Sequence, residues 1–548
     1  MRFPLVICVF VCFAVMTIPS FGQSPNGNIN GLVADPTNAA VADAEIVAVN
    51  DVTGVQYTTK TNSEGIYVLP NLPPGPYRVQ VSKIGFKTLI KPDITLNVQD
   101  SLSINFTLLV GAFHEIVTVQ GGAPLVNTEN ATVSTVVDRQ FAENLPMNGR
   151  SFQTLIELTP GVVLTPSSTY DSGQFSVNGQ RASSNYWMLD GVSANIGISP
   201  FSSPGNGFGG TLGSFSALGG TNSLVSVDAM QEFRVQTSSF APEFGRTPGG
   251  QISIVTRSGT NQFHGTLFDY FRNNVLDAEN WFNGYTNDPP LPKAEERQND
   301  FGGTFSGPIL KQKTFFFFSY EGLRLRLPQT ELTTVPDTNA RLSAAPALQP
   351  YFNAYPEPNG PELGQGIAEF NASFSNAATL DAYSLRLDHN IGGKLSLFGR
   401  YDNSPSQLLD RGSDGSAALS VLFPSSINTR TGTLGSSWLI SSVAVNDLRV
   451  NYSRTRAKSY YYMDDLGGAV PIQSPPFPLP YTPSSGNFAF EPFSLTSGAE
   501  LTLGQNASNL QEQINVVENF SLHKGSHGLK FGVDFLRLSP HHDPVAYV

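Results

Sequence analysis

Cysteine is almost missing from this chain: 548 residues hold two, Cys8 and Cys12, both within the first dozen positions. With that leader removed no thiol remains, which excludes disulfides, thiolate metal centres and cysteine nucleophiles together. Charge is scarce too. Only 14% of residues are charged, and 32 Lys and Arg face 44 Asp and Glu, for a net charge of −12. No Lys/Arg cluster interrupts that balance, so the basic surface a nucleic-acid partner requires is not in evidence. The seven histidines form neither HxxE nor HExxH, and GxSxG and P-loop patterns are absent. Zinc peptidase, serine hydrolase and phosphoryl-transfer chemistry therefore have no foothold; the chain reads as non-enzymatic, without cofactor or metal. Beyond the leader no apolar run is long enough for a transmembrane helix. If the protein enters a membrane, it does so as strands.

The leader itself has the parts of a secretory signal over residues 1–22. Arg2 is the positive end, "FPLVICVFVCFAVMTI" the apolar stretch, and Ser20-Phe21-Gly22 a small-x-small site that places cleavage between Gly22 and Gln23. Read instead as an uncleaved anchor, the run is short for a bilayer-spanning helix.

The rest is rich in strand and loop formers, with 51 Gly, 39 Pro and 38 Phe, and the expected fold class is mostly β. Residues 23–111 contain short alternating runs such as "INGLVAD", "AEIVAVN" and "VQYTTKTN", separated by turn residues at intervals of about 8 to 12, the pattern of a β-sandwich. The stretch "TNSEGIYVLPNLPPGPYRVQVSKIGF" resembles the carboxypeptidase regulatory-like family, small sandwiches of the transthyretin type. That resemblance implies a spacer or carbohydrate-contacting module, not a peptidase. Tyr67, Tyr77 and Phe86 are the aromatics a sugar platform would use, and equally suit the sandwich core.

Residues 112–260 read as a separate mixed α/β domain. "DRQFAENLP" and "SFQTLIELTPGV" place apolar residues, Leu155, Ile156 and Leu158 among them, at helical spacing before Pro or Gly stops. "LPMNGRSFQTLIELTPGV", "SVNGQRASSNYWMLDGV" and "AMQEFRVQTSSFAPEFGRTPGGQISIVTRSGTNQFHGTLFDYFRN" resemble the plug and first barrel strand of TonB-dependent outer-membrane receptors, in the Oar-like branch with an N-terminal sandwich. The resemblance implies that the plug sits inside a barrel and that a short extended TonB box just before it is gripped by a periplasmic partner. By position the box is Glu115, Ile116, Val117, Thr118 and Val119. The plug motif falls on Asn178, Gly179, Arg181, Asp190 and Gly191. "GNGFGG", Gly205 to Gly210, satisfies GxGxxG but sits in a Ser/Pro/Gly loop without the strand and helix a dinucleotide site needs. "HHD", His541 to Asp543, puts adjacent side chains on opposite faces and has no distant ligand partners.

From 261 to 548 the sequence predicts strands at about 262–272, 298–308, 314–326, 381–390, 394–403, 429–440, 442–455, 511–523 and 527–538, each of bilayer-crossing length. Loops of about 25 to 55 residues, including the whole of Leu327 to Leu380, alternate with tight turns at "ILKQK", "IGG", "SS" and "KGSH", as in membrane barrels with short periplasmic turns. Around "IGG", Tyr383, Leu385 and Leu387 share one face with Leu395, Leu397 and Tyr401 across the turn. Ser384, Arg386, Asp388, Lys394, Arg400 and Asp402 lie on the other. Lipid is the expected cover for the first set, and a polar lumen or plug for the second. "FFFFSY" and "YYYM" read as aromatic girdles.

About nine strands cannot enclose a plug, for which barrels of about twenty-two strands are usual, so the reading frame is expected to continue past Val548. The function implied by the resemblance is a TonB-dependent receptor or transporter in the bacterial outer membrane. Its partners would be outer-membrane lipid, a TonB-type energy-coupling protein and an extracellular ligand: glycan, peptide or chelate. A barrel-anchored adhesin or signalling protein, and a protein-export pore, are the alternatives.

Overall fold

The computed structural model describes residues 25–111, 116–118, 132–139, 141, 150, 153–164, 175–201, 210–220, 223–241, 243–246, 248–283, 291–413, 416–441, 443–473, 477–492, 500–524, 527–543 and 545–547. The leader with Gly22 and Gln23, the ends of the box at Glu115 and Val119, and all of "GNGFGG" but Gly210 lie outside the described residues.

The first body is a two-layer sandwich. Its strands are β1 (Gly27–Ala34), β2 (Glu45–Asn50), β3 (Gln56–Lys60), β4 (Ile66–Leu72), β5 (Gly75–Ser82), β6 (Thr88–Leu96), β7 (Ser101–Ser103), β8 (Phe106–Thr107) and β9 (Ile116–Thr118). One sheet runs β4-β1-β7 with β8 also on β1, the other β3-β2-β5-β6-β9. Alternation puts Ile29, Val33, Ile46, Ala48, Val79 and Val81 in a common core. Gly31 is required where β1 crosses the chain at Ile104, since a Cβ there would stand 1.9 Å from the Ile104 carbonyl oxygen. Tyr67 and Tyr77 are fully buried in this core, and their hydroxyls donate to the Ile104 and Pro73 carbonyls at 2.8 and 2.7 Å. Their rings offer no platform to a sugar.

The second body is built from β10 (Val133–Asp138), β11 (Val162–Leu164), β12 (Phe175–Val177), β13 (Tyr186–Leu189), β14 (Val192–Ser193), β15 (Met230–Ser238) and β16 (Gln251–Thr256). Five of them form the sheet β10-β15-β16-β13-β14, parallel only between β13 and β16, and β11 pairs with β12. A short helix, Gln153–Ile156, delivers Leu155 and Ile156 to its core; Leu158 lies beyond the helix end and is exposed.

The third body is one large antiparallel sheet. It comprises β17 (His264–Asn273), β18 (Arg297–Leu310), β19 (Thr314–Pro336), β20 (Glu362–Gly364), β21 (Ile367–Ile391), β22 (Leu395–Arg411), β23 (Val421–Ser441), β24 (Ala444–Met463), β25 (Asn487–Phe490), β26 (Leu501–Lys524) and β27 (His527–Asp543). The long strands follow chain order from β17 to β27, with the short β20 and β25 attached to β21 and β26. Among the described residues β17 and β27 each pair on one side only. The β21–β22 turn is made by Gly392 and Gly393 at φ 59° and 66°, a left-handed geometry glycine adopts freely. Leu385, Leu397 and Tyr401 are 44%, 38% and 53% exposed on the outer face, while Arg400 and Asp402 across the pleat are each 4% exposed. The apolar face therefore points to lipid. Lys394 falls in the turn and is exposed, so it faces no lumen.

Two expectations are corrected. The stretch 327–380 is not one loop: β19 continues to Pro336, helices occupy Thr338–Ser343 and Gln349–Phe352, and β21 begins at Ile367. Strands of 23 to 25 residues run well beyond the bilayer, where neither face meets lipid and the alternation that marks a span fades. Their ends join the long connections in a small apolar core around Val335, Tyr355, Phe370, Leu419 and Leu501. Nor is "FFFFSY" a girdle throughout. Phe315 and Phe317 point inward, Phe317 into the core of the second body, and Phe318 outward. Likewise Tyr460 and Tyr462 face out, but Tyr461 packs on Phe423 at 4.7 Å.

Candidate functional site

The second body lies against the polar, concave face of the large sheet, and the contact is organised by one turn. Asp190 and Gly191 join β13 to β14 with φ of 50° and 80°, the two left-handed positions of a two-residue hairpin that Asp-Gly favours. The turn projects the Asp190 carboxylate into the wall. Its Oδ1 accepts from the Thr256 N–H at 2.9 Å and its Oδ2 from the Thr256 hydroxyl at 2.8 Å. From β22, Arg400 Nη1 reaches Oδ2 at 2.8 Å, and from β21, Arg386 Nη1 reaches Oδ1 at 3.3 Å. Each arginine has a carboxylate of its own strand as well, Asp402 at 3.0 Å and Asp388 at 2.9 Å. Burial by itself raises the Asp190 carboxyl's pKa, but Arg400, Arg386 and the Thr256 donors more than offset that, and the net lies below the ordinary carboxylate value. The group is a fixed anion pinning two strands to the inner body.

Above that pin, a run of extended chain climbs β26 on a ladder of side-chain amides. Asn515 Oδ1 accepts from the Ser193 N–H at 2.8 Å, and Gln513 Nε2 donates to the Ser193 carbonyl at 2.8 Å. Higher up, Asn509 Nδ2 donates to the carbonyls of Ser199 and Phe201 at 2.8 and 3.1 Å. The ladder went unread in the sequence, yet its signal is there: amides every second residue in "NLQEQIN".

The other motif residues do not join the pin. Asn178 and Gly179 form a second left-handed turn, φ 50° and 77°, in which Asn178 donates from Nδ2 to the Thr237 carbonyl at 3.0 Å and from its backbone to Gly161 at 2.8 Å. They brace the inner body internally. Arg181 is exposed. His541 to Asp543 close β27, with His542 Nδ1 2.6 Å from Asn509 Oδ1.

Of the residues expected to form a TonB box, the described stretch, Ile116 to Thr118, is β9. It pairs in parallel with β6, Thr88 opposite Ile116, Leu89 opposite Val117 and Ile90 opposite Thr118. The segment thus closes an edge of the sandwich. The sandwich in turn is tied to the inner body: Arg234 ion-pairs with Asp100, Glu232 accepts from the Val98 N–H, and Gln236 Nε2 donates to Gln99 Oε1 at 2.7 Å. Burial pushes the Glu232 carboxyl up to about 8, with the Val98 N–H and Arg234 offsetting part of the rise. A cleft lined by Asn50, Tyr57, Asp190, Thr256, Arg386 and Arg449 marks where all three bodies meet.

Comparison with known proteins agrees with this architecture. Residues 255–346 and 341–546 match the family described as outer membrane beta barrel domain, and residues 28–109 match the carboxypeptidase regulatory-like domain. The TonB-dependent transporter Oar of Myxococcus xanthus is 30% identical over 312 residues, covering 55% of this chain and 27% of that protein. The chain thus spans about a quarter of the length of this curated relative. Among solved structures, the outer membrane transporter YddB from Escherichia coli aligns at 12% identity and TM-score 0.49, over 74% of this chain and 48% of its own. The siderophore receptor PirA from Acinetobacter baumannii aligns at 13% and 0.44, over 75% and 49%. The chain belongs to the outer-membrane β-barrel family, carries a carboxypeptidase regulatory-like domain ahead of its second body, and is similar over the matched length to the TonB-dependent transporter Oar.

Proposed function

We propose that this protein takes up a ligand across the outer membrane by energised remodelling of its plug, without enzymatic chemistry. The observation that carries the reading is the polar seam between plug and wall: the Asp190 pin and the ladder of neutral amides, with the Arg246–Asp534 and Lys530–Glu243 pairs at 3.0 and 2.8 Å, are contacts that water can replace one at a time. A pull from the periplasm has a place to act. Residues 115–119 lie between sandwich and plug, and an extended segment of this kind adds to a partner's sheet through main-chain hydrogen bonds, which depend on backbone shape more than on side chains. The ligand enters from the side of the long connections, and a glycan, a peptide or a chelate each suits loops rich in Asn, Gly, Pro and Tyr.

The test is capture of the detergent-solubilised protein by the immobilised C-terminal domain of a TonB-type protein. Val117→Pro removes a backbone donor and bends the strand, and lowers capture by about tenfold or more; Val117→Ala keeps the donor and stays within about threefold of the parent. Undiminished capture of the Pro variant places the coupling segment elsewhere.

A further inference from the structure

Contrary to the expectation that the chain holds no Lys/Arg cluster, the lipid-facing side of β23 and β24, outside the plug and its coupling segment, gathers "RTRAK" (Arg454 to Lys458) with Arg430 into a cluster of charge that barrel insertion does not explain. Rising from the tight turn at Val443, the outward residues of β24 are Val450 and Tyr452, then Arg454, Arg456 and Lys458. On β23 the outward Trp438 and Leu434 are followed by Arg430. The strand register sets Arg430 directly opposite Arg454. Like charges placed so are destabilising unless an anion lies between them.

The protein supplies little to relieve this. Glu512 is 3.7 Å from Arg454 Nε and also accepts from the Tyr452 hydroxyl at 2.8 Å; Arg430 Nε donates to the neutral Asn403 Oδ1 at 3.2 Å. Arg456 and Lys458 make no ion pair among the described residues and are exposed. Four cations therefore share one carboxylate, on a chain whose net charge is −12.

Position selects the anion. Arg454 stands about 11 residues above the turn, roughly 36 Å along the strand and about 28 Å in height at the usual tilt, just past an apolar band of about 25 Å. The tight turns define the periplasmic end, so this level is the headgroup layer of the outer leaflet. Tyr452 marks the interface immediately below it, as aromatic belts do. A soluble partner meets this face edge-on at the membrane surface, whereas a lipid headgroup lies alongside it. Guanidinium pairs take phosphate oxygens in bidentate fashion, and the lysine adds a mobile charge.

We propose that Arg430, Arg454, Arg456 and Lys458 form a binding site for the phosphate groups of a phosphorylated glycolipid in the outer leaflet. The site lies on the outer wall and is independent of transport.

The experiment uses the full chain in mixed micelles and counts bound lipid by native mass spectrometry, with diphosphoryl lipid A, its phosphate-free form and inorganic phosphate as probes. Diphosphoryl lipid A binds the parent, and its apparent affinity falls about tenfold or more in R430Q/R454Q and about threefold in R456Q/K458Q. The phosphate-free form does not distinguish parent from variants, and inorganic phosphate at about 10 mM leaves the lipid bound. R324Q, which alters an outward arginine paired with Asp381, binds as the parent does and controls for general loss of surface charge. Equal lipid binding by parent and R430Q/R454Q overturns the site. Equal affinity for the phosphate-free lipid overturns the phosphate chemistry, and displacement by inorganic phosphate reassigns the site to free anions and overturns the lipid. Circular dichroism of each variant, matching the parent's strand signal, keeps a loss of fold from passing as a loss of binding.

Discussion

Asp190 Oδ2 and Arg400 Nη1 meet at 2.8 Å across 210 residues of sequence. That pair, with Arg386 on the neighbouring strand, decides whether the β13–β14 hairpin stays against the wall. Removing one member of a buried ion pair costs about 3–5 kcal/mol, because the partner is left uncompensated. Here Asp402 and Asp388 retain the arginines in part, so Asp190→Asn is expected to cost about 1–3 kcal/mol. Hydrogen exchange at Val192 to Ala194 is the measurement: protection falls in the Asn variant while the sandwich strands are unchanged.

The amide ladder is expected to fail in a different place. Asn509→Ala leaves the Ser199 and Phe201 carbonyls without their donor, a loss of about 1–2 kcal/mol confined to the top of the climbing segment. Exchange should accelerate near 199–201 and not at 192–194. Spread to the lower residues would mean that pin and ladder open as one unit.

Glu232 gives the sandwich–plug contact a pH dependence whose sign is fixed. Its carboxyl titrates near 8 when folded, against an ordinary 4.5. The folded state therefore holds the proton more tightly. The stabilisation is complete below pH 4.5, declines as pH rises, and is gone above about 8, by at most about 1.4 kcal/mol per pH unit inside that window. Asp100 and Asp138 repel the carboxylate, and Arg234 attracts it. The contact should loosen between about pH 5 and 8 in exchange measurements on Asn97 to Asp100. Glu232→Gln, which stays neutral, should remove the slope; a slope that persists in the Gln variant assigns it to another group.

The sequence revealed the spans wherever lipid met one face of a strand and polar groups met the other. Leu385, Leu397 and Tyr401 alternate with Arg386, Arg400 and Asp402 because the two sides of that wall differ in dielectric, and a period of two records the difference. Where both faces are wet the record stops. Residues 327–336 and 367–380 are strand but read as loop. Phe315 and Phe317 misled for the opposite reason, since a plug core and a bilayer are equally apolar and composition does not separate them. Asp190 and Gly191 were legible only as part of a motif, and the charge of Arg386 and Arg400 as inward-facing. Their meeting was not, because it depends on how two distant segments stack. The docking of β9 on β6 was hidden for a related reason: a three-residue edge strand pairs by backbone, which leaves no mark on side-chain identity.

That docking also supplies the most direct test. If Ile116 to Thr118 is the handle by which the plug is pulled, it must leave β6 before a partner's sheet can take it. Ile90 and Thr118 are register partners on the outer side of that pair, at a spacing a disulfide can span. The chain's own cysteines are Cys8 and Cys12 alone, so Ile90→Cys with Thr118→Cys, in a chain with both of those replaced by alanine, makes a clean bridge. The measurement is capture by an immobilised TonB C-terminal domain before and after reduction. The account predicts capture of the reduced protein and loss of capture, about tenfold or more, on oxidation. Equal capture of the oxidised and reduced forms would contradict it.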